Sequence, residues 1–302
     1  MPRIHIITDS TVHFSQPNFA AQHQVIVIPL TVQFGAEVYR DGVDLTTAEF
    51  FERMARRGEE WPVANAPSAA EFAALYETLI PSGDHIIAIH LSGKLSRVPH
   101  HARLGAEAFQ GRSKIVVIDS LSTSIGMGAL VEAAVAAVER GENFDEVVRL
   151  VRGMVPRLYS VFFLETMEYL AHAGRAGKAQ AILGKMLGIK PFLSLEEGEM
   201  VPMEKVRTRP QAVEKMVEFV LEFSDIQQMG LIHSGPRPTD ETRALLEQLS
   251  QAFPEREWPV LTYGPALATY LGPDAMGVIV CESDIDPERL ARFEEDDFDE
   301  DD

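Results

Sequence analysis

One cysteine, Cys281, stands in 302 residues. An intrachain disulfide is thereby excluded, as is a thiolate cluster for a zinc site. No uninterrupted apolar run reaches the ~18 residues that a spanning helix needs, so integral membrane contact is not expected. The start, MPRIHIITDST, passes from one arginine into an apolar run without a long hydrophobic leader or cleavage pattern. Cytoplasmic residence is the expectation. Several catalytic signatures are missing too. There is no GxxxxGK followed by Ser or Thr, no GxSxG elbow and no HExxH, and SIGMG from Ser124 lacks the third glycine of a dinucleotide fingerprint. Positive charge is scarce, with 27 Lys plus Arg against 46 Asp plus Glu and a formal charge of −19. That balance disfavours nucleic acid or anionic membranes as general partners.

What is present is apolar material for a sizeable core, 46% of the chain. Short apolar runs at Ile4–Ile7, Val25–Leu30, Ile86–Leu91 and Ile115–Ile118 read as buried strands, with helical periodicity at Phe50–Met54, Ala69–Leu79 and Gly128–Glu139. A second unit begins near Met154–Ser160. In it KPFLSLEEGEMVPMEKV reads as a hairpin turning at Glu196–Glu199 on Gly198. A helix follows around Arg209–Phe223, then the strand MGLIHSG, a helix over Thr239–Gln251, and the strand candidates WPVLTYG and MGVIVCE. The fold class is α/β, with ligands expected beyond the strand carboxyl ends. The expected division is an N-terminal domain at 1–155, a C-terminal α/β domain at 156–290 and a tail at 291–302. Within that tail, Glu294–Asp302 holds eight acids and one phenylalanine and reads as disordered and solubilising.

The polar strand ends carry the chemistry. In IHLSGKLS, Ser92 and Ser96 can donate to an oxyanion, with Lys94 or Arg97 adding charge, or they can cap a helix starting near Arg97 or Pro99. Gly93 with Lys94 is a weak phosphate signal. Gly126 and Gly128 read as close packing at a helix entry. Asp44 or Thr46 can cap the helix through Phe50. A dispersed Ser-His-Asp group of Ser96, His233 and Asp9, hydrolysing a small ester or phosphate, is the enzyme alternative. A purely structural or regulatory protein is the third reading.

Taken in order, TDS at Thr8–Ser10, IPLTVQFGAEVYRDGVD at Ile28–Asp44, LSGKLS at Leu91–Ser96, VIDSLSTSIGMG at Val117–Gly128, EYLAHAGRAGKA at Glu168–Ala179 and LGKMLGIKPFLSLEEGEMVPMEKVR at Leu183–Arg207 resemble the DegV family of bacterial fatty-acid-binding proteins. The resemblance covers most of residues 4 to 280. It implies two domains, an N-terminal open and mostly parallel sheet with flanking helices and a second α/β domain with a mixed sheet. It also implies a long-chain fatty acid held with its carboxylate near the domain junction. No cofactor, metal or independent enzymatic activity is implied. Some members present the carboxylate to a separate ATP-bearing fatty-acid kinase subunit, which is thus an expected partner. By this resemblance Ser96 contacts the carboxylate, and Arg175 orders the junction loop or supports anion recognition. Gly93, Ser124 and Gly126, in the matching glycine- and serine-rich loops, are further expected ligand-binding positions, as are Ala64, Asn65 and Thr262. Two departures stand out. Ala64 replaces an expected threonine, with Asn65 beside it as a compensating amide. Thr262 stands where a histidine before a Gly-Pro step is expected.

Overall fold

The computed structural model describes residues 2–56, 60–80, 83–177, 179, 188–235 and 237–283. The acidic tail and the glycine-punctuated stretch at 180–187 lie outside these residues. In chain order the first half runs β1 (Ile4–Asp9), α1 (Phe19–Gln22), β2 (Ile26–Ile28), β3 (Thr31–Phe34), β4 (Glu37–Arg40), α2 (Thr47–Arg56), β5 (Val63–Asn65), α3 (Ala69–Leu79), β6 (His85–His90), α4 (Val98–Ala106), β7 (Ile115–Asp119), α5 (Ser124–Glu139) and α6 (Phe144–Met154). The second half runs β8 (Leu158–Phe163), α7 (Glu168–His172), β9 (Lys190–Glu196), β10 (Glu199–Val206), α8 (Arg209–Leu221), β11 (Ile226–His233), α9 (Asp240–Ala252), β12 (Val260–Thr262), α10 (Pro265–Leu271) and β13 (Met276–Glu282).

The four apolar runs of the first half pair in parallel in the order β2-β1-β6-β7. Residues 86–89 of β6 are wholly buried, as expected of a strand with both faces covered. The second half builds a six-stranded mixed sheet, β10-β9-β8-β13-β11-β12, in which β11 and β12 are parallel and the other pairs antiparallel. Its β9–β10 hairpin turns at Glu197 and Gly198, both with positive φ (47° and 82°), the backbone of a two-residue hairpin turn.

A third sheet, β4-β3-β5, is antiparallel and was not anticipated. Its strands are three or four residues long, too short for a two-residue period to show.

Helix α5 explains how the two larger sheets come together. Eleven of its residues are buried, an all-round burial that marks a helix inside a core. It packs on β1 and β6 of the parallel sheet and on β8, β11 and β13 of the mixed one. It begins at Ser124, one turn before the expected Gly128, because its small first-turn residues sit between the sheets. The mixed sheet alternates accordingly. Phe162, Leu193 and Ile279 join the α5 core, while Val161, Phe163, Val278 and Val280 face the opposite core with α8 and α9.

Local caps fix the helix starts. Ser68 and Glu71 form a capping box on α3, as Asn143 and Glu146 do on α6. Thr46, not Asp44, caps α2. Its hydroxyl oxygen accepts from the Glu49 amide at 3.3 Å, and Asp44 pairs with Arg40.

Candidate functional site

The carboxyl ends of β1, β6 and β7 lie side by side, and two of their acids shape the loop that leads into α4. Asp9 accepts the Leu91 amide at 3.0 Å and the His90 Nδ1–H at 3.1 Å with one oxygen, and the Thr11 amide and hydroxyl with the other. Asp119 accepts the Gly93 amide at 3.1 Å on both oxygens. A Cβ on Gly93 would lie 2.5 Å from that carboxylate, so glycine is needed there for close approach. Ser92 then anchors the loop across the junction. Its hydroxyl donates to the Gly198 carbonyl at 2.7 Å in the β9–β10 turn and accepts the Lys94 amide. Neither Ser92 nor Ser96 caps α4, whose N-cap is Arg97 without a side-chain bond. The serine-cap reading is thus replaced by a loop held from neighbouring strands.

This construction delivers Ser96, 4% exposed, to a cleft of about 360 Å³. Five of the residues singled out from the sequence line it: Ala64, Asn65, Ser96, Arg97 and Arg175. The others are Ala66, His101 and Tyr270. Arg175, beyond α7, donates from Nε to the Leu95 carbonyl at 2.6 Å. Its Nη groups carry no hydrogen bond or ion pair with the described residues. His101 Nδ1–H donates to the Pro67 carbonyl at 2.8 Å and ties α4 to the wall after β5. The Asn65 amide nitrogen is turned toward Gln33 Oε1, 3.3 Å away, so that N–H does not supply the donor missing at Ala64.

Tyr270 is the polar side chain that sequence reasoning missed. Its side chain lines the cleft beside Ser96, and burial pushes the hydroxyl up to about 12, against the opposing pull of Arg175 and Ser96. The phenol therefore stays a protonated donor at neutral pH. The available signal was TYLGP, the second Gly-Pro step of the segment. Thr262, assigned at the first step, lies outside the cleft lining, with its hydroxyl donating to the Gly235 carbonyl at 2.7 Å.

Gly126 and Ser124 also lie outside it. A Cβ on Gly126 would meet Ser122 Oγ at 2.4 Å. Ser124 sits at φ 52° with its hydroxyl 3.0 Å from His13 Nδ1. The His13 Nε2–H donates to the Thr262 carbonyl at 2.9 Å, and burial lowers its pKa, so the neutral ring links the two halves.

Helix α10, which carries Tyr270, is positioned from the first half of the chain. Asp41 accepts the Ala266 amide at 3.0 Å and the Ser10 hydroxyl at 2.7 Å. Thr47 donates to the Tyr263 carbonyl at 2.7 Å. Burial raises the Asp41 carboxyl from 3.8 to about 6, partly offset by the Ser10 and Ala266 bonds. Since the folded value lies above the unfolded one, this group's contribution is full below about pH 3.8 and is lost as pH rises through about 6. Relative to Asp41→Asn, the natural chain is expected to lose about 2 kcal/mol of stability between pH 4 and 7. Urea unfolding of both proteins at the two pH values checks this; an unchanged difference would show that Asp41 does not titrate as its burial dictates.

The Ser96–His233–Asp9 group is not assembled by these bonds. Asp9 holds His90, Ser96 lines a cleft with Tyr270, and the buried His233 Nδ1 has no hydrogen-bond partner among the described residues. Among the described residues no group of three His, Cys, Asp or Glu could hold a metal ion, and no helix is long and apolar enough to cross a membrane.

Comparison with known proteins places this geometry. Residues 3–283 match the model described as an uncharacterised protein, DegV family. A DegV domain-containing protein of Caldanaerobacter subterraneus subsp. tengcongensis is 30% identical over 287 residues, covering 92% of this chain and 98% of the relative. Protein DegV of Bacillus subtilis is 29% identical over 282 residues, with 92% and 99% covered. Among solved structures, a DegV family protein from Thermus thermophilus described by its fatty acid binding superposes with a TM-score of 0.83 at 29% identity, covering 93% of this chain and 100% of that one. Bacillus subtilis DegV, a fatty acid binding protein, gives a TM-score of 0.82 at 28% identity, with 94% and 100% covered.

Proposed function

The chain belongs to the DegV family, whose model spans residues 3–283, and from that premise we propose that it binds a long-chain fatty acid with the carboxylate in the Ser96 cleft. The observation that carries this reading is the convergence of Ser96, Tyr270 and Arg175 at the N-terminus of α4. An ionised carboxylate is acceptor-only. Facing it are two hydroxyls and a guanidinium whose Nη groups have no partner among the described residues, beside the N-terminus of α4. The helix dipole favours the same negative charge. Charge-assisted hydrogen bonds of this kind are the strong ones. Ala64 and Ala66 give the cleft an apolar wall, and each methylene taken out of water adds roughly 0.8 kcal/mol before binding costs. Fatty-acid-binding relatives of the same fold support the same occupant.

Titration with palmitate tests the reading: saturable binding is expected, and its absence would remove the proposal. Ala64→Thr adds a hydroxyl to the cleft wall and is expected to tighten palmitate binding about tenfold, the scale of one hydrogen bond to a charged group. Equal or weaker binding would show that position 64 does not reach the headgroup.

The finer proposal is presentation to a separate kinase subunit. Gly93, Lys94 and Arg97 are exposed beside buried Ser96, so two cations flank the place from which a nucleotide would approach. The carboxylate oxygen would attack the γ-phosphorus of ATP, ADP would leave, and an acyl phosphate would form. Mixing the loaded chain with a fatty-acid kinase subunit and ATP tests this step separately from binding. The hydrolase alternative gains no support, since no bond among the described residues links Ser96 to His233 or His233 to Asp9.

A further inference from the structure

The start of α4 holds two adjacent histidines, His100 and His101, of which His101 lines the Ser96 cleft. It stands one turn on from Arg97, its amide donating to the Arg97 carbonyl at 2.9 Å, and residues four apart share a helix face. The ring is held by the Pro67 carbonyl, 2.8 Å from Nδ1. A carbonyl only accepts, so Nδ1 carries the proton and Nε2 of the neutral ring is an acceptor. That second nitrogen has no hydrogen bond to any described residue.

The surroundings favour negative charge. Arg97 on α4, Arg175 beyond α7 and Tyr270 on α10 line the cleft, and no acid is among its lining residues. His100 lies ring to ring with His101, centroids 5.8 Å apart. Glu71, at the start of the α3 helix that packs on α4, commits its carboxylate to the Ser68 amide and hydroxyl, both at 2.7 Å. A counter-ion for a charged ring at position 101 therefore comes with the ligand. Pro67 also continues the wall on which Ala64 lacks a hydroxyl and the Asn65 N–H is turned toward Gln33.

Resting on the fatty-acid reading above, we propose that His101 is a further headgroup residue: as the ligand enters, Nε2 takes a proton from solvent and the resulting N–H donates to the carboxylate, in place of the hydroxyl absent at Ala64. A carboxylate is acceptor-only and would repel a bare Nε2 lone pair; the second proton makes the contact a charge-assisted bond. Binding is thereby coupled to proton uptake, and by linkage it tightens as pH falls while the carboxylate stays ionised.

Calorimetric titration of the full chain with palmitate, in two buffers of different ionisation enthalpy, counts the protons. Between pH 7 and 8 the natural chain is expected to take up about half a proton or more per palmitate. His101→Asn keeps an N–H for Pro67, lacks Nε2 and should abolish that uptake. Near pH 6 this variant should bind about tenfold more weakly than the natural chain, the scale of one hydrogen bond to a charged group, and the two should converge by about pH 8.5. A ring that only tied α4 to Pro67 would leave their ratio independent of pH. His101→Gln, whose amide reaches the Nε2 position, should recover part of the affinity without the pH dependence. Ring ¹⁵N signals of the natural chain supply a readout without substitution: palmitate should move His101 Nε2 from the acceptor to the N–H range. If the natural chain does not bind palmitate at all, the fatty-acid reading falls and this proposal with it. If it binds palmitate, the proposal alone is overturned by an unmoved Nε2 signal, by absent proton uptake, by uptake that persists in His101→Asn, or by an equal loss of affinity at every pH.

Discussion

Ser96→Ala combined with Tyr270→Phe is expected to weaken palmitate binding about a hundredfold or more, each substitution alone about tenfold, because each removes a hydrogen bond to a charged group. The two side chains line the same cleft, so their effects need not add, and a double-mutant cycle measures the coupling. Both side chains are almost wholly buried, and the comparison is made among variants whose thermal unfolding matches the natural chain. Wild-type affinity in the double variant would place the carboxylate elsewhere. The protonated state of Tyr270 adds a second signature: across neutral pH it contributes a donor throughout, so its share of the binding should be flat with pH.

The largest effect on stability is expected at Gly128. A Cβ there would lie 1.8 Å from the His13 carbonyl oxygen, a backbone atom that cannot rotate away. That loop is fixed by the Ser124 and Thr262 bonds to the His13 ring, and α5 is packed between two sheets. Gly128→Ala is therefore expected to cost about 3 kcal/mol or more despite alanine's better helix propensity. Urea denaturation reads it directly. A midpoint equal to or above that of the natural chain would mean that the loop relaxes without cost.

How much of this was legible in the sequence follows from where the partners lie. Ile86–Leu91 could be read as a strand because burial on both faces leaves a continuous apolar run, and Gly198 marked the β9–β10 turn through local backbone chemistry. The β4-β3-β5 sheet was hidden because TVQF, EVYR and VAN are each shorter than the pattern that identifies a strand. At the site, Ser96 and Arg175 were legible by resemblance, while the reason Ser96 points into a cleft was not. Its loop is held by Asp9, 82 residues before Leu91, and by Asp119, 26 residues after Gly93. Tyr270 was harder still. Its helix is aimed by Asp41, whose bond to Ala266 spans 225 residues, and no local pattern carries that information. Gly93, Gly126 and Ser124 were noticed for their residue types, and the structure gives each a packing or hydrogen-bonding role outside the cleft lining.

The central claim, that this chain carries a long-chain fatty acid on Ser96, Tyr270 and Arg175, is tested most directly by native mass spectrometry of gently purified protein followed by lipid extraction. The account predicts a mass increment matching one long-chain fatty acid per chain, lost or sharply reduced in the Ser96→Ala, Tyr270→Phe protein. An empty natural chain that also fails to take up added palmitate would contradict it.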